Sequence, residues 1–115
     1  KLPEASLGVF VTGGLTATLA ASVGLARAKS LMLFGDEFSA EQAFEWGLIA
    51  HAVPASGFEE EALGLAQRLA ALEPRVSAQF KRVMNEIGLA AFDQAIAAEN
   101  RAQISLASAS TVKEL

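Results

Sequence analysis

The chain has 115 residues, enough for one hydrophobic core and too few for two ordinary domains. A net charge of -4, nine basic residues against thirteen acidic ones and no basic stripe, excludes a nucleic-acid binder. With no cysteine, disulfides, thiolate metal sites and thiol nucleophiles are excluded as well, and a single histidine cannot form a metal cluster alone.

Along the chain, Leu15, Leu19, Val23, Ala26, Leu31 and Leu33 recur at helical spacing between Gly13 and Phe34. This predicts two helices broken at Gly24 and closed by Gly35. Ser39, with Gln42 three residues on, reads as a capping box opening a short helix that Gly47 ends. The run Leu48 to Val53, stopped by Pro54, predicts one short strand. A further helix over 58–72 opens with Glu59-Glu60-Glu61, whose charges suit the positive end of a helix dipole, and carries Ala62, Leu65, Ala66, Leu69 and Leu72 on one face. Pro74 occupies a first helical position. Val76, Phe80, Val83, Met84 and Ile87 mark the face of the helix that follows, Gly88 closes it, and a last helix is expected from Leu89 to about Leu106. The expectation is therefore a mostly α chain of about six helices and one short strand.

Apolar residues make up 52% of the chain before glycine is counted, above the ~45–50% usual with glycine included. The surplus, much of it alanine, points to surface meant for a partner or for another part of the same protein. No uninterrupted apolar run approaches the ~20 residues of a membrane span, and no leader pattern opens the chain, so a cytoplasmic protein is expected. The start at Lys1-Leu2-Pro3-Glu4, without methionine, leads to the expectation of a cut into a longer sequence.

Two local patterns carry chemistry. The first is Pro3-Glu4, then Leu7-Gly8, then Gly13-Gly14-Leu15-Thr16: an acid beside a glycine-punctuated turn that leads into a helix. The second runs from Gly35 through Ser39-Ala40-Glu41-Gln42-Ala43 to Gly47-Leu48-Ile49 and ends at Val53-Pro54. In this order, with Gly24-Leu25-Ala26-Arg27-Ala28-Lys29 between them, the chain resembles the enoyl-CoA hydratase/isomerase (crotonase) family up to about Gln103. The Ser-Ala-Glu-Gln-Ala to Gly-Leu-Ile block is the most specific part, because it fixes five or more positions in one register.

That resemblance implies the helical C-terminal part of a crotonase-like (ClpP/crotonase) α/β spiral fold. Residues 1–54 would end the core and carry the Pro-Glu acid and the glycine-rich turn, and residues 55–115 would form a helical oligomerisation region. It implies an acyl-CoA enzyme that holds a thioester carbonyl between two backbone N–H groups, stabilises an enolate and moves protons with carboxylates. Glu4 matches the family's acid–base glutamate. The second hydratase carboxylate and both N–H donors belong upstream of Pro3-Glu4, so these residues alone are expected to be inactive. Enoyl-CoA hydratase is the activity expected first; double-bond isomerase, which needs one carboxylate, and a non-catalytic trimerisation fragment are the alternatives. No cofactor is implied beyond the coenzyme A of the substrate. The implied partners are an acyl-CoA thioester and further copies in a homotrimer or hexamer.

Each candidate has a plainer reading. Pro followed by Glu also opens helices where the acid merely complements the dipole. Leu7, Val9, Val11, Gly13, Gly14 and Leu15 are the candidate substrate-binding residues, and core packing is the alternative for the apolar ones. His51 reads as structural, Phe44 and Trp46 as packing of the short helix, and Lys81-Arg82 as solvated surface. The segment from Ser108 to Glu114 departs from the family's usual Ser-x-Asp-x-x-Glu-Gly, so a tail that closes over the coenzyme is expected to differ here.

Overall fold

In the computed structural model, the backbone of residues 1–114 and the side chains of residues 1–109 are described. Seven α-helices follow one another: α1 (Glu4–Leu7), α2 (Leu15–Val23), α3 (Leu25–Phe34), α4 (Ala40–Glu45), α5 (Phe58–Ala70), α6 (Pro74–Gly88) and α7 (Phe92–Glu114), with a 3-10 turn at Ala55–Gly57 before α5. The helices expected from periodicity are all present. The short α1 is additional, since four residues are too few to show a period.

Local signals set most boundaries. Gly24 separates α2 from α3, and Gly35 closes α3 with its N–H on the Leu31 carbonyl. The Ser39 hydroxyl accepts from the Gln42 N–H while the Gln42 side chain accepts from the Ser39 N–H, completing the capping box. Glu73 caps α6 by accepting from the Val76 N–H at 3.1 Å, with Pro74 inside the first turn. The last helix begins at Phe92 rather than Leu89, because Leu89 closes α6 through its N–H to the Asn85 carbonyl. It also runs past Leu106 to Glu114, since its alanines favour helix where the apolar period fades. The side chains of the tail from Ser110 onward lie outside the described residues.

The expected strand over Leu48 to Val53 does not form: there is no strand among the described residues. A strand exists only by pairing, and the first N–H groups of the run are spent elsewhere. Both Leu48 and Ile49 donate to the Ala43 carbonyl, wrapping the end of α4 around Gly47.

The core lies between α2 and α3, where Leu19, Ala28 and Leu31 are buried and Leu2, Leu15, Val23, Met32, Phe38, Trp46 and Leu48 pack around them. Trp46 is held from both sides, with Phe38 tilted against it at 5.6 Å between ring centroids and the Arg27 guanidinium 4.8 Å from its centroid. Phe44, in contrast, projects outward, 52% exposed, and does not pack the short helix. Neither α5 nor α6 contributes a buried residue. The radius of gyration is 17.9 Å, against about 13 Å for a compact domain of this length; the molecule is a small core with helices reaching away from it.

Candidate active site

Glu4 is the first residue of α1, held there by a closed turn in which Leu7 donates to the Pro3 carbonyl and Val9 to the Glu4 carbonyl. Gly8 ends this turn at φ 76°, a left-handed conformation that glycine adopts without steric cost. The chain then folds back so that Val9, Phe10 and Val11 run beside the acid.

The Glu4 side chain is half-buried, and its Oε2 is fully enclosed with no hydrogen-bond partner, the one such side-chain atom among the described residues. Leaving a buried polar atom unpaired costs about 1–3 kcal/mol, so it demands an explanation. The acid opens onto a cavity of about 250 Å³. Besides Glu4 the cavity is lined by Ala5, Gly8, Val9, Phe10 and Val11, by Met32 and Leu33 from α3 and by Leu106 from α7. Every residue of this lining apart from Glu4 is uncharged, and most are apolar.

The geometry thus brings Glu4, Val9 and Val11 around one cavity and leaves the other candidate residues away from it. Leu7 points outward, 70% exposed, because it lies on the far side of the single turn of α1. Leu15 packs against the core of α2 and α3. Gly13 is exposed in the turn, at φ 75°. Gly14 is buried as the N-cap of α2 at φ 81°, and a Cβ there would collide with the ring of Phe92. Gly14 therefore permits the close approach of α7 through Phe92, Gly13 faces open space, and neither lines this cavity. Met32, Leu33 and Leu106, absent from the sequence expectations, come from distant elements. His51 is exposed beside α5, near Leu65, Leu69 and Leu72.

A second polar feature supports the turn from behind. Glu99 of α7 is 1% exposed, the only buried charged residue among those described. Its Oε1 accepts from the Gly14 N–H at 2.8 Å, and its Oε2 accepts from the Thr16 N–H at 2.9 Å and the Thr16 hydroxyl at 2.5 Å. Two of these donors are N–H groups at the start of α2 that have no partner within the helix, so a carboxylate from α7 caps α2. Burial by itself raises the Glu99 pKa, but the bonds from the Thr16 hydroxyl, the Thr16 N–H and the Gly14 N–H together outweigh it and hold the group below its ordinary range. One turn along, Gln103 accepts from the Phe10 N–H at 2.7 Å. The readable signal for this pair was a charge inside the Ala-rich run Ala95-Ile96-Ala97-Ala98-Glu99, where a solvated face would have carried more polar residues.

A carboxylate that lines a largely apolar cavity and keeps one oxygen free of protein partners has the form of an acid–base site for a ligand with an apolar portion. The family model described as enoyl-CoA hydratase/isomerase matches residues 1–114, and the chain belongs to that family. It is 38% identical over 74 residues to the mevalonyl-coenzyme A hydratase of Beauveria bassiana (strain ARSEF 2860), covering 64% of this chain and 26% of that protein. It is 31% identical over 100 residues to the 2,3-dehydroadipyl-CoA hydratase of Escherichia coli (strain K12), covering 87% and 39%. To the mitochondrial enoyl-CoA hydratase of Pongo abelii it is 32% identical over 95 residues, covering 83% and 31%. The chain thus spans between about a quarter and two fifths of the length of these relatives. No solved structure matches it significantly.

Proposed function

We propose that this chain supplies the proton-transferring carboxylate and part of the acyl pocket of an enoyl-CoA hydratase, with Glu4 as the acid–base group. The observation that carries this reading is that Glu4 lines an apolar cavity and keeps one carboxylate oxygen, Oε2, without a protein partner. A carboxylate kept free of protein partners is available to a substrate proton. The names of the relatives above, all hydratases of coenzyme A thioesters, favour hydration over other chemistry on the same scaffold.

In hydration, a carboxylate takes a proton from water as the water oxygen bonds to the β-carbon of a 2-enoyl thioester. The double-bond electrons move to the thioester oxygen as an enolate, and a carboxylic acid returns a proton to the α-carbon. Two N–H groups stabilise the enolate oxygen; these and a second carboxylate are assigned to the part of the relatives' length that this chain does not span. On this reading the 115 residues alone have no turnover.

Glu4 is the only carboxylate among the residues lining the cavity, and this favours double-bond isomerisation as a second reading. There a single carboxylate removes the α-proton of a 3-enoyl thioester and delivers it to the γ-carbon through the dienolate. Assaying the full-length protein on a 2-enoyl-CoA and a 3-enoyl-CoA separates the two: hydration of the first supports a hydratase, conversion of the second an isomerase. Silence with both sinks the pair.

The apolar faces of α5 and α6 support a companion role in assembly. Val76, Phe80, Val83, Met84 and Ile87 are all exposed, and further copies of this chain in a trimer or pair of trimers would cover them. Sedimentation of the full-length protein tests this, with a monomer at micromolar concentration counting against it.

A further inference from the structure

The α7 side chains Glu99 and Gln103 sit one turn apart on one face and hold the two ends of the segment 10–16: Gln103 takes the Phe10 N–H, and Glu99 takes those of Gly14 and Thr16. That segment starts inside the cavity wall, since Val9, Phe10 and Val11 all line it, and Leu106 of α7 stands in the same lining one turn beyond Gln103. A single helix therefore contributes both a piece of the wall and a hydrogen bond to another piece of it. Val9 is tied to α1 through its N–H on the Glu4 carbonyl and Val11 is buried, and the bond from the Phe10 N–H to Gln103 ties this strip of backbone to α7.

We propose that Gln103, backed by Glu99, is a specificity-determining positioning residue: it fixes the distance between the 9–11 wall and the Met32–Leu33 wall, and so the length of acyl chain that fits beside Glu4. The proposal rests on the acyl-CoA reading of the cavity. Gln103 touches no reacting atom on this account and acts only through the backbone that it holds. Gln103→Leu keeps the approximate volume and removes the acceptor; Gln103→Glu keeps an acceptor at the same reach.

Two measurements on the full-length protein decide the matter. The first is kcat/KM on 2-enoyl-CoA substrates with short and long acyl chains, read as the ratio between them. Gln103→Leu should change that ratio by about tenfold, the effect of one partly buried hydrogen bond, and Gln103→Glu should restore it. A loss of equal size on both substrates, or no rescue by Gln103→Glu, overturns the proposal and leaves Gln103 as a stabilising residue only. The second is amide hydrogen exchange over residues 9–14, which needs no turnover. Exchange should quicken by about tenfold in Gln103→Leu and return in Gln103→Glu; unchanged exchange overturns the clamp. If the unmodified protein processes no enoyl-CoA, the acyl-CoA reading falls while the exchange experiment still decides whether Gln103 holds this wall.

Discussion

The two helical regions of this molecule use the same apolar pattern to opposite ends. In α2 and α3 the central periodic positions are satisfied within the chain: Leu19 is 2% and Leu31 7% exposed, packed with Leu2, Phe38, Trp46 and Leu48 from outside these helices, while Leu33 at the end of α3 stays 67% exposed. In α6 the periodicity is at least as clean, yet Phe80 is 66% and Ile87 75% exposed. Amphipathic spacing thus specifies that a face must be covered and is silent on what covers it. The difference separates residues on which this fold depends from residues that it leaves exposed.

The largest effect that would sharpen this contrast lies at the site between the regions. Glu4→Gln in the full-length protein should lower turnover by about 10²–10⁴-fold, the usual reach of general acid–base catalysis, with thermal stability undiminished. Unchanged turnover would remove Glu4 from the chemistry. Next in size, Leu31→Ala should cost about 2–5 kcal/mol in denaturant unfolding, because its partners on α2 cannot fully collapse into the gap. A loss well below this range would show the core of α2 and α3 to be looser than its burial suggests.

Gly14→Ala comes third, at about 1–3 kcal/mol for a non-glycine residue in the left-handed region, with displacement of the Phe92 ring in addition. Glu99→Gln should show itself mainly through pH. The folded-state pKa of Glu99 lies below its unfolded value near 4.5. The bonds to Gly14 and Thr16 therefore contribute stability that is complete above that value and is lost as pH falls through the folded pKa. Unfolding free energy measured from pH 7 to pH 3 should decline less steeply in the variant, and identical slopes would refute the linkage. The smallest expected effect on folding is that of Phe80→Ser: below about 0.5 kcal/mol within one subunit, because the side chain is already exposed, with weaker self-association by sedimentation as its main consequence. A large loss of subunit stability there would break the contrast between the two regions.

What was legible in the sequence was what short segments decide for themselves. The break at Gly24, the Ser39–Gln42 box and the Pro74 start depend on residues within one turn of each other, and each stands where its motif put it. The nearness of Val9 and Val11 to Glu4 was readable for the same reason. The strand failed because pairing is a property of two segments, and one of them cannot announce that its N–H groups will be used to close a helix. Met32, Leu33 and Leu106 were out of reach, being carried to the cavity by α3 and α7. The link from Glu99 to Gly14 spans 85 positions, and no local rule connects a carboxylate in a late helix to the first turn of an early one. Gly14 illustrates a further ambiguity, since a glycine that admits a ligand and a glycine that admits a neighbouring helix look identical in sequence.

The isolated oxygen of Glu4 implies that this molecule is less stable than its own sequence space allows. Replacing that acid by methionine would fill the adjoining space with thioether and methylene groups and relieve a solvation penalty of about 1–3 kcal/mol, raising the melting temperature. On the acid–base reading proposed above, that lost robustness is exchanged for reactivity.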